Sequence, residues 1–352
     1  MVTIKDVAKR AKVSIATVSY VINKKENVSE ELIAKVDEAV RELNYRPSRI
    51  ARSLRKGKTM TIGLLMDDIS NQFGAEFTRG LVSVARKREY NVIISNLNRK
   101  GEEEAICLEQ FLSQQVDGII YSGYGREEQM LLEIQASGIP VIAVDKPLRS
   151  SEIPTVLIDN RESVFTATEY LIQLGHRRIC HIAGFAENPN SILRAEAFRD
   201  CLLLHGLPVE KDSICFGDYS LLHGYQVVHR MEDPTRFTAY FCADDMVAFG
   251  AISALKQKNI RIPEEVMVIG FDDVPLSSFF DPSLTTIHYP MRELGIQSFE
   301  LFHRMVNRKK KVLEHLILET NLIVRKSTNP DFPLGPDIVD NDNDQCPPIS
   351  QP

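Results

Sequence analysis

The chain has 352 residues, 43% of them hydrophobic, and a formal net charge of −6. This composition is typical of a folded protein of two or three domains, and it excludes a chain too polar to build a core. The sequence begins without the apolar run of a signal peptide, and no apolar stretch approaches the ~18 residues of a membrane helix. We therefore expect a cytoplasmic protein with no membrane partner.

Charge is distributed unevenly along the chain. Residues 1–58 contain 14 basic and 7 acidic side chains, whereas the remainder contains 28 basic and 41 acidic ones. A compact basic segment can neutralise phosphates of nucleic acid, while an acidic body limits indiscriminate binding. A merely solvated charged surface would explain the amount of charge but not its segregation. The first 58 residues are therefore the candidate nucleic-acid-binding region.

Three short helices are predicted within this basic region. Each follows a residue that can cap a helix, and the predicted pairs of cap and helix are Thr3 with 4–11, Ser14 with 15–22, and Ser29 with 30–43. Asp6 stands at the capping-box position of the first helix. Apolar residues recur along one face of each helix, so the three can share a small core.

A tight turn at Lys12 and Val13 joins the first two helices, which makes a helix-turn-helix unit. Its second helix has the right width for the major groove of B-DNA. The small residues Ser14 and Thr17 would let phosphate approach the positive end of this helix. The predicted base-reading residues are Ile15, Ala16 and Tyr20. A small helical bundle used for protein contacts is the alternative, and the basic charge favours DNA.

A basic stretch of residues 48–55 follows Pro47, which suits the first turn of a helix. Eight residues form a marginal helix in isolation, so this segment should fold only against a partner. Ala51 and Leu54 lie on one side, and positive charge comes from Arg49, Arg52 and Arg55. This pattern fits a helix that orders on DNA and inserts a leucine wedge into the minor groove. An ordinary linker is the alternative.

The stretch "TIKDVAKRAKVSIATVSYVIN", with "VSEELIAKVDEAVRELNYRPSRIARSL" after it, resembles the headpiece and hinge of the lac repressor/galactose repressor (LacI/GalR) family of bacterial transcription regulators. The resemblance covers positions 2–54. It implies a homodimer on a near-palindromic double-stranded operator, with Leu54 prising apart the central base step. Carried over residue by residue, the phosphate contacts are Thr3, Ser14, Thr17, Asn23 and Ser29, and the hinge contacts are Ala51, Arg52 and Leu54.

One position departs from the family pattern. Many members place arginine, the usual bidentate reader of guanine, where this chain has Tyr20. Tyrosine cannot make that contact. The base opposite Tyr20 therefore cannot be carried over from the family.

From Thr61 onward, short runs rich in valine and isoleucine alternate with amphipathic segments. Predicted strands cover 61–66, 91–96, 118–122, 140–145 and 155–159, then 178–184, 213–218, 239–243 and 266–271. Such runs predict parallel sheets covered by helices on both faces. Two series in tandem predict an α/β core of two doubly wound lobes, behind an all-α helix-turn-helix headpiece.

The resulting predicted domains are a headpiece at 1–46, a hinge and linker at 47–59, a two-lobed core at 60–330 and an acidic tail at 331–352. Lobe 1 would comprise 60–160 and 290–318, and lobe 2 would comprise 161–289 and 319–330. The segment "HLILETNLIV" is predicted as one strand that leads back to lobe 2. The tail has five aspartates, five prolines and no basic side chain, which predicts disorder.

Polar residues follow several predicted strands, in "MDDISNQF", "VDKP", "GDY", "ADD" and "GFDD". Ligands of doubly wound folds bind beyond the carboxyl ends of the strands. Asp and Asn are also common helix caps, so each of these residues has an ordinary structural explanation.

The family resemblance extends to about Ser327 through "RRICHIAG", "LRAEAF" and "ADDMVAFGA", and implies an effector-binding core similar to periplasmic sugar-binding proteins. It makes Phe73 and Tyr219 the residues that stack on a small effector, a sugar or sugar derivative. Its polar groups would be bound by Arg194, Asp244 and Asp272, because carboxylates and guanidinium groups pair well with hydroxyls. Weaker candidates, with capping as the alternative, are Asn71, Asp145 and Asn190.

The six cysteines show no C-x-x-C pair and no metal-like spacing with histidine. The acidic run "DNDND" lacks the glycine and the final glutamate of a calcium loop. No metal and no cofactor are therefore expected.

Three other functions compete with an effector-controlled repressor. An enzyme is disfavoured because G-x-G-x-x-G, P-loop, G-x-S-x-G and H-E-x-x-H motifs are absent. A transport-type binding protein would need export, which the basic headpiece and missing signal peptide oppose. Catabolite-control members of the family look similar around "DISNQF", and their main partner is a phosphorylated carrier protein. This last alternative stays open on sequence alone.

Overall fold

The computed structural model describes residues 2–22, 28–45, 57–97, 103–123, 127–146, 148–307 and 313–332. The chain divides into two compact units, Met1–Thr61 with Gln115–Asp117, and Ile62–Gln114 with Gly118–Pro352. The predicted hinge helix and most of the predicted tail lie outside the described residues. So do four predicted DNA contacts, Asn23, Ala51, Arg52 and Leu54.

The headpiece contains the three predicted helices, α1 (Ile4–Ala11), α2 (Ile15–Ile22) and α3 (Glu30–Glu42). Two predicted caps are present: the Thr3 amide donates to Asp6 Oδ2 at 2.8 Å, and the Thr17 amide donates to Ser14 Oγ at 3.0 Å. Ser29 occupies the N-cap position of α3, but its side chain makes no capping hydrogen bond.

Small apolar residues hold the three headpiece helices together. The buried set is Val7, Ala8, Ala11, Val18, Val21, Val36 and Ala39. Helices of eight residues are marginal alone, so α1 and α2 depend on this shared core. Lys12 adopts a left-handed conformation (φ 53°) that turns the chain sharply between them.

Two six-stranded sheets organise the core. Lobe 1 has the strand order β11-β5-β4-β3-β1-β2 and lobe 2 the order β12-β10-β9-β8-β6-β7. The lobe 1 strands are β1 (Thr61–Met66), β2 (Asn91–Asn96), β3 (Ile119–Ser122), β4 (Val141–Val144), β5 (Thr155–Ile158) and β11 (His315–Leu318). The lobe 2 strands are β6 (Ile179–Ile182), β7 (Ile214–Cys215), β8 (Ala239–Cys242), β9 (Met267–Asp272), β10 (Thr285–His288) and β12 (Asn321–Ile323).

Helices cover these sheets. In lobe 1 they are α4 (Gln72–Lys87), α5 (Glu104–Ser113), α6 (Glu128–Ala136) and α12 (Met291–Asn307). In lobe 2 they are α7 (Asn160–Gln173), α8 (Pro189–Leu204), α9 (Leu221–Arg230), α10 (Asp245–Gln257) and the short α11 (Leu276–Phe279). Within the described ranges, no helix is both long and apolar enough to cross a membrane.

The segment "HLILETNLIV" differs from its prediction as a single strand. It forms β11, which pairs in parallel with β5 of lobe 1, and then β12, which pairs antiparallel with β10 of lobe 2. β10 itself was not predicted, and the predicted strand at 213–218 shrinks to two residues. A run of apolar residues cannot show which sheet each half joins, because that choice depends on partners distant in sequence.

The helix α12 packs on α4 within lobe 1, as the predicted return of the chain to this lobe requires. A Cβ at Gly80 would collide with the carbonyl oxygen of Arg292, so only glycine permits this close approach. Leu294, Phe299 and Leu301 are fully buried, which confirms that these α12 residues belong to the core.

Candidate functional site

The exposed face of α2 carries the predicted base-reading residues. Ile15 is 46% exposed, Tyr20 is 48% exposed and Ala16 is also exposed, whereas Val18 and Val21 of the same helix are buried. Large apolar side chains at the surface are suited to contact base edges and thymine methyl groups. The structure thus separates the packing face of α2 from the face that sequence analysis assigned to DNA.

The N-terminus of α2 presents the predicted phosphate contacts. Ser14 Oγ lies 2.9 Å from Thr17 Oγ1, and Ser14 is exposed. Thr3 at the start of α1 is exposed too, but its hydroxyl donates to Asp6 Oδ2 at 2.7 Å. That hydrogen bond lowers the pKa of Asp6, and so keeps a negative charge beside a predicted phosphate contact. Ser29 is exposed at the start of α3.

In the core, acidic residues collect at the carboxyl ends of strands from both sheets. Asp145 follows β4 of lobe 1, Asp272 ends β9 of lobe 2, and Asp244 lies between β8 and α10. The backbone is unusual at two of them, with φ of 51° at Asp145 and 113° at Asp272. Such strained conformations are concentrated at functional sites, where the surrounding structure maintains them.

A direct hydrogen bond joins the two lobes beside these carboxylates. Asn190 of α8 donates from Nδ2 to the backbone oxygen of Asp145 at 2.7 Å. Asn190 is buried, and the contact places its helix against the end of β4. This weaker sequence candidate therefore serves as a bridge between the lobes.

Arg194 of α8 is buried and held on two sides. Its Nε donates to Asn160 Oδ1 at 2.7 Å, and its Nη1 donates to the Ala243 carbonyl at 3.2 Å. Its guanidinium also lies over the Phe271 ring, with Cζ 3.7 Å from the ring centroid. Neither hydrogen bond uses Nη2, so a fixed guanidinium edge is available for polar recognition.

Aromatic rings connect the two lobes near Arg194. Phe73 of α4 stacks on Tyr289 with centroids 5.5 Å apart, and Tyr289 meets the edge of Phe271 at 5.9 Å. Tyr219 belongs to a second aromatic pair, edge to face with Phe185 at 5.7 Å. The structure thus brings Phe73 and Arg194 to one aromatic row, while Tyr219 approaches from the segment after β7.

Burial perturbs every carboxyl of this cluster. It raises the pKa of Asp244 to about 7, against the lowering effects of the Val247 amide and Arg194. Burial also raises the pKa of Asp272 well above its usual range, and nearby Asp244 raises it further. The pKa of Asp145 is raised by burial and lowered in part by Lys146. The cleft therefore contains carboxyl groups with raised pKa values. Such groups donate hydrogen bonds when protonated and accept them when ionised.

Two predicted contacts also have structural roles. Asn71 Oδ1 accepts from the Gly74 amide at 2.7 Å and so caps α4, as the capping alternative predicted. Asp244 Oδ1 accepts from the Val247 amide at 2.7 Å and caps α10. The neighbouring Asp245 differs from Asp244, because its carboxylate accepts hydrogen bonds within lobe 2 from the Val274 amide and the Ser277 hydroxyl.

Lys146 and Tyr289 were not among the site residues predicted from the sequence. Lys146 is buried, and its Nζ lies 3.2 Å from Asp67 Oδ2 after β1. Its signal was present in "VDKP", where a basic residue follows a strand-end aspartate. Tyr289 was assigned only to the crossover, yet it is buried next to Asp145. Burial raises the pKa of the Tyr289 hydroxyl well above its usual range, and the neighbouring Asp145 carboxyl raises it further.

Two family models match the chain. Residues 3–48 match the model for bacterial regulatory proteins of the lacI family, and residues 59–326 match that for periplasmic binding proteins and the sugar binding domain of the LacI family. The chain belongs to the LacI family. Its headpiece is the family's DNA-binding helix-turn-helix, and the protein is a DNA-binding transcriptional regulator. Its core is the periplasmic-binding-protein-like fold that the sequence resemblance implied.

Similar proteins support this assignment along nearly the whole chain. Catabolite control protein A of Priestia megaterium is 35% identical, over 93% of this chain and 99% of its own length. The HTH-type transcriptional repressor PurR of Vibrio atlanticus strain LGP32 is also 35% identical, over 89% of this chain and 96% of its own. Both are LacI-family regulators.

Solved structures of the family share the architecture. The lac repressor dimer bound to operator and an anti-inducer matches with a TM-score of 0.83 and 28% identity, over 93% of this chain and 99% of that one. The regulator CelR in complex with cellobiose matches with a TM-score of 0.70 and 27% identity, over 93% and 100%. An Enterococcus faecium family regulator with bound ribose matches with 0.69 and 27%, over 77% and 99%.

Proposed function

We propose that this LacI-family regulator is a repressor controlled by a neutral, hydroxyl-rich effector, a sugar or sugar derivative, bound between its two lobes. The contacts are Phe73, Tyr219, Arg194, Asp244 and Asp272. The observation that carries the proposal is the convergence of these polar and aromatic groups at the carboxyl ends of both sheets. The complexes of two relatives with cellobiose and with ribose support the same ligand class.

The charges favour a neutral ligand over a phosphorylated one. The cations that act on Asp145, Asp244 and Asp272 are Lys146 and Arg194, while neighbouring carboxyls oppose them. Lys146 is already paired with Asp67. Arg194, the other cation, has no ion pair among the described residues, but a phosphate bound to it would also lie beside several carboxyls. Sugar hydroxyls can pair with both the guanidinium and the carboxyls.

The DNA-binding part of the proposal assigns bases to Ile15, Ala16 and Tyr20 of α2. Phosphates are assigned to Thr3, Ser14, Thr17, Asn23 and Ser29, and minor-groove contacts to Ala51, Arg52 and Leu54. The relative solved on operator DNA is a dimer, and we propose a homodimer here as well. A two-fold symmetric dimer reads a near-palindromic operator. Since its partner is chromosomal DNA, we place it in the cytoplasm.

Effector binding would act by population shift. A ligand that touches Phe73 in lobe 1 and Asp272 in lobe 2 favours one arrangement of the lobes over the other. Only this difference in affinity, typically about 1–3 kcal/mol, can be transmitted to the hinge. By reciprocity, operator DNA changes effector affinity by the same factor.

The experiment uses the full chain and an operator selected from random duplexes. Calorimetry with neutral pentoses, hexoses and disaccharides, beside their phosphorylated forms, should find binding to a neutral sugar alone. Asp272→Asn and Arg194→Lys should each weaken that binding about tenfold or more, because a buried partner is lost. Binding of a sugar phosphate with higher affinity than its neutral form would contradict the proposed class.

A catabolite-control function is the second candidate from sequence. Its support is the likeness around "DISNQF" and the similarity to Catabolite control protein A, but the repressor PurR is equally similar to this chain at 35% identity. Operator affinity should be measured with a phosphorylated carrier protein and, separately, with the sugar that binds in calorimetry. The comparison distinguishes the two functions. A large change in operator affinity with the carrier alone would establish the alternative.

A further inference from the structure

We propose that Glu169, Cys201 and His205 form a binding site for Zn²⁺ in lobe 2, away from the effector cleft. One ligand atom from each residue lies within 4.8 Å of the other two. Glu169 Oε1 and His205 Nε2 are only 3.2 Å apart. This inference does not depend on the proposed effector or its contacts.

Two helices create this arrangement. Cys201 lies in the last turn of α8 and His205 is its C-cap, four residues later, so both side chains project from one face. The adjacent helix α7 packs against α8 and supplies Glu169. The one-turn spacing of Cys201 and His205 does not by itself indicate a metal site, because the third ligand, Glu169, lies 32 residues before Cys201 in the chain.

The donor set matches the coordination chemistry of zinc. Thiolate sulfur, imidazole nitrogen and carboxylate oxygen are its usual ligands, at about 2.0–2.3 Å. In a tetrahedral site, those lengths separate neighbouring ligand atoms by roughly 3.3–3.8 Å. Glu169 Oε1 and His205 Nε2, at 3.2 Å, lie close to this separation, and all three ligand atoms lie within 4.8 Å of one another, so side-chain rotations would complete a three-ligand site. Calcium and magnesium prefer oxygen ligands and are poor matches for Cys201 and His205.

Solvent access also suits a cation. His205 is exposed and Glu169 is partly exposed, while Cys201 is fully buried beneath them. The nearby Asp200 is engaged by Arg161 at 2.8 Å, so it is not required as a ligand. A solvent water can therefore occupy the fourth position. Zinc would then tie together the C-terminal ends of α7 and α8, the helices whose N-terminal halves provide Asn160 and Arg194.

An ordinary surface ion pair between Glu169 and His205 is the competing explanation. It would need no sulfur, which makes Cys201 the discriminating residue. Cobalt is a suitable probe because Co²⁺ occupies zinc sites, and its bond to a thiolate gives a charge-transfer band in the near ultraviolet.

The test titrates metal-free, tag-free full-length protein with Co²⁺ and then Zn²⁺. We expect one equivalent of cobalt to give the charge-transfer band and zinc to abolish it. Cys201→Ser should lose the band, whereas Cys215→Ser and Cys346→Ser should keep it. His205→Gln, at an exposed position, and Glu169→Gln should weaken zinc binding about tenfold or more without loss of fold.

The proposal is overturned if the wild-type protein shows no charge-transfer band, or if Cys201→Ser retains it. It is also overturned if His205→Gln, with an unchanged circular dichroism spectrum, binds zinc as tightly as the wild type. His205→Gln leaves the buried thiol in place, so it still tests the proposed site if Cys201→Ser fails to fold.

Discussion

The headpiece and the core place their functional side chains in opposite environments. In the headpiece, seven small residues form the core, and the proposed base contacts Ile15 and Tyr20 are about half exposed. In the core, Arg194 is 6% and Asp244 is 8% exposed, and each is hydrogen-bonded to the fold. If the proposed contacts are right, recognition and stability depend on different residues in the headpiece but on the same residues in the cleft.

The largest effect should come from a charge in the small headpiece core. Val36→Asp buries an unpaired carboxylate at a fully buried position, at a cost of several kcal/mol, which the three short helices cannot offset. Specific operator binding should disappear while effector binding persists. Band-shift titration and calorimetry measure the two.

Ile33→Asp is the matched control, since Ile33 lies on the same helix but is 38% exposed. It should retain the fold of the headpiece. If Val36→Asp binds operator as tightly as Ile33→Asp, the headpiece tolerates a buried charge and the prediction is wrong.

The second effect concerns pH. Burial raises the pKa of Asp244 from 3.8 to about 7, so between these values the folded protein holds a proton that the unfolded chain has released. The free energy of unfolding should therefore fall as pH rises from about 4 to about 7, by at most about 4 kcal/mol from this residue. Urea unfolding at a series of pH values measures this slope.

Asp244→Asn cannot titrate but can still cap α10, so its stability should vary less with pH. Asp281→Asn, at a highly exposed side chain, is the control and should follow the wild type. Parallel curves for all three proteins would remove Asp244 as the source of the pH dependence.

A smaller effect should follow from Gly184→Ala. A Cβ at this position would collide with the Tyr219 ring, so the ring must move away. Effector affinity should fall about tenfold, or about 1.4 kcal/mol, with operator affinity of the free protein unchanged. In a Tyr219→Ala background, Gly184→Ala should have no further effect, because the displaced ring is already gone. Additive losses in calorimetry would contradict this coupling.

The smallest effect on stability should come from Tyr20→Ala, within about 0.5 kcal/mol, because the side chain is half exposed. Its consequence should instead be relaxed preference at one base pair of each half-site, about 1–3 kcal/mol of discrimination. Selection from random duplexes measures the profile. Arg52→Ala, which removes a proposed hinge contact, should weaken all sites evenly, and identical profiles for the two variants would refute the assignment to Tyr20.

The local order of the fold was predictable from residue patterns. Thr3 with Asp6 and Ser14 with Thr17 mark helix starts through contacts three residues apart, and the structure contains both. Buried strands such as β1 and β3 are continuous apolar runs, which any parallel sheet covered on both faces requires. The acidic residues after β4 and β9 were also visible as candidates.

Tertiary structure decided which of those candidates meet, and in what electrostatic state. Asp244 and Asp245 are adjacent and chemically identical, yet only Asp245 accepts hydrogen bonds from Ser277 and Val274 of lobe 2. The division of "HLILETNLIV" between two sheets, and the meeting of Glu169 with Cys201, likewise depend on long-range packing. The sequence by itself determined the headpiece helices and most of the buried strands, because those depend on neighbouring residues. Sites and perturbed pKa values needed the fold, because burial and pairing arise between segments distant in the chain.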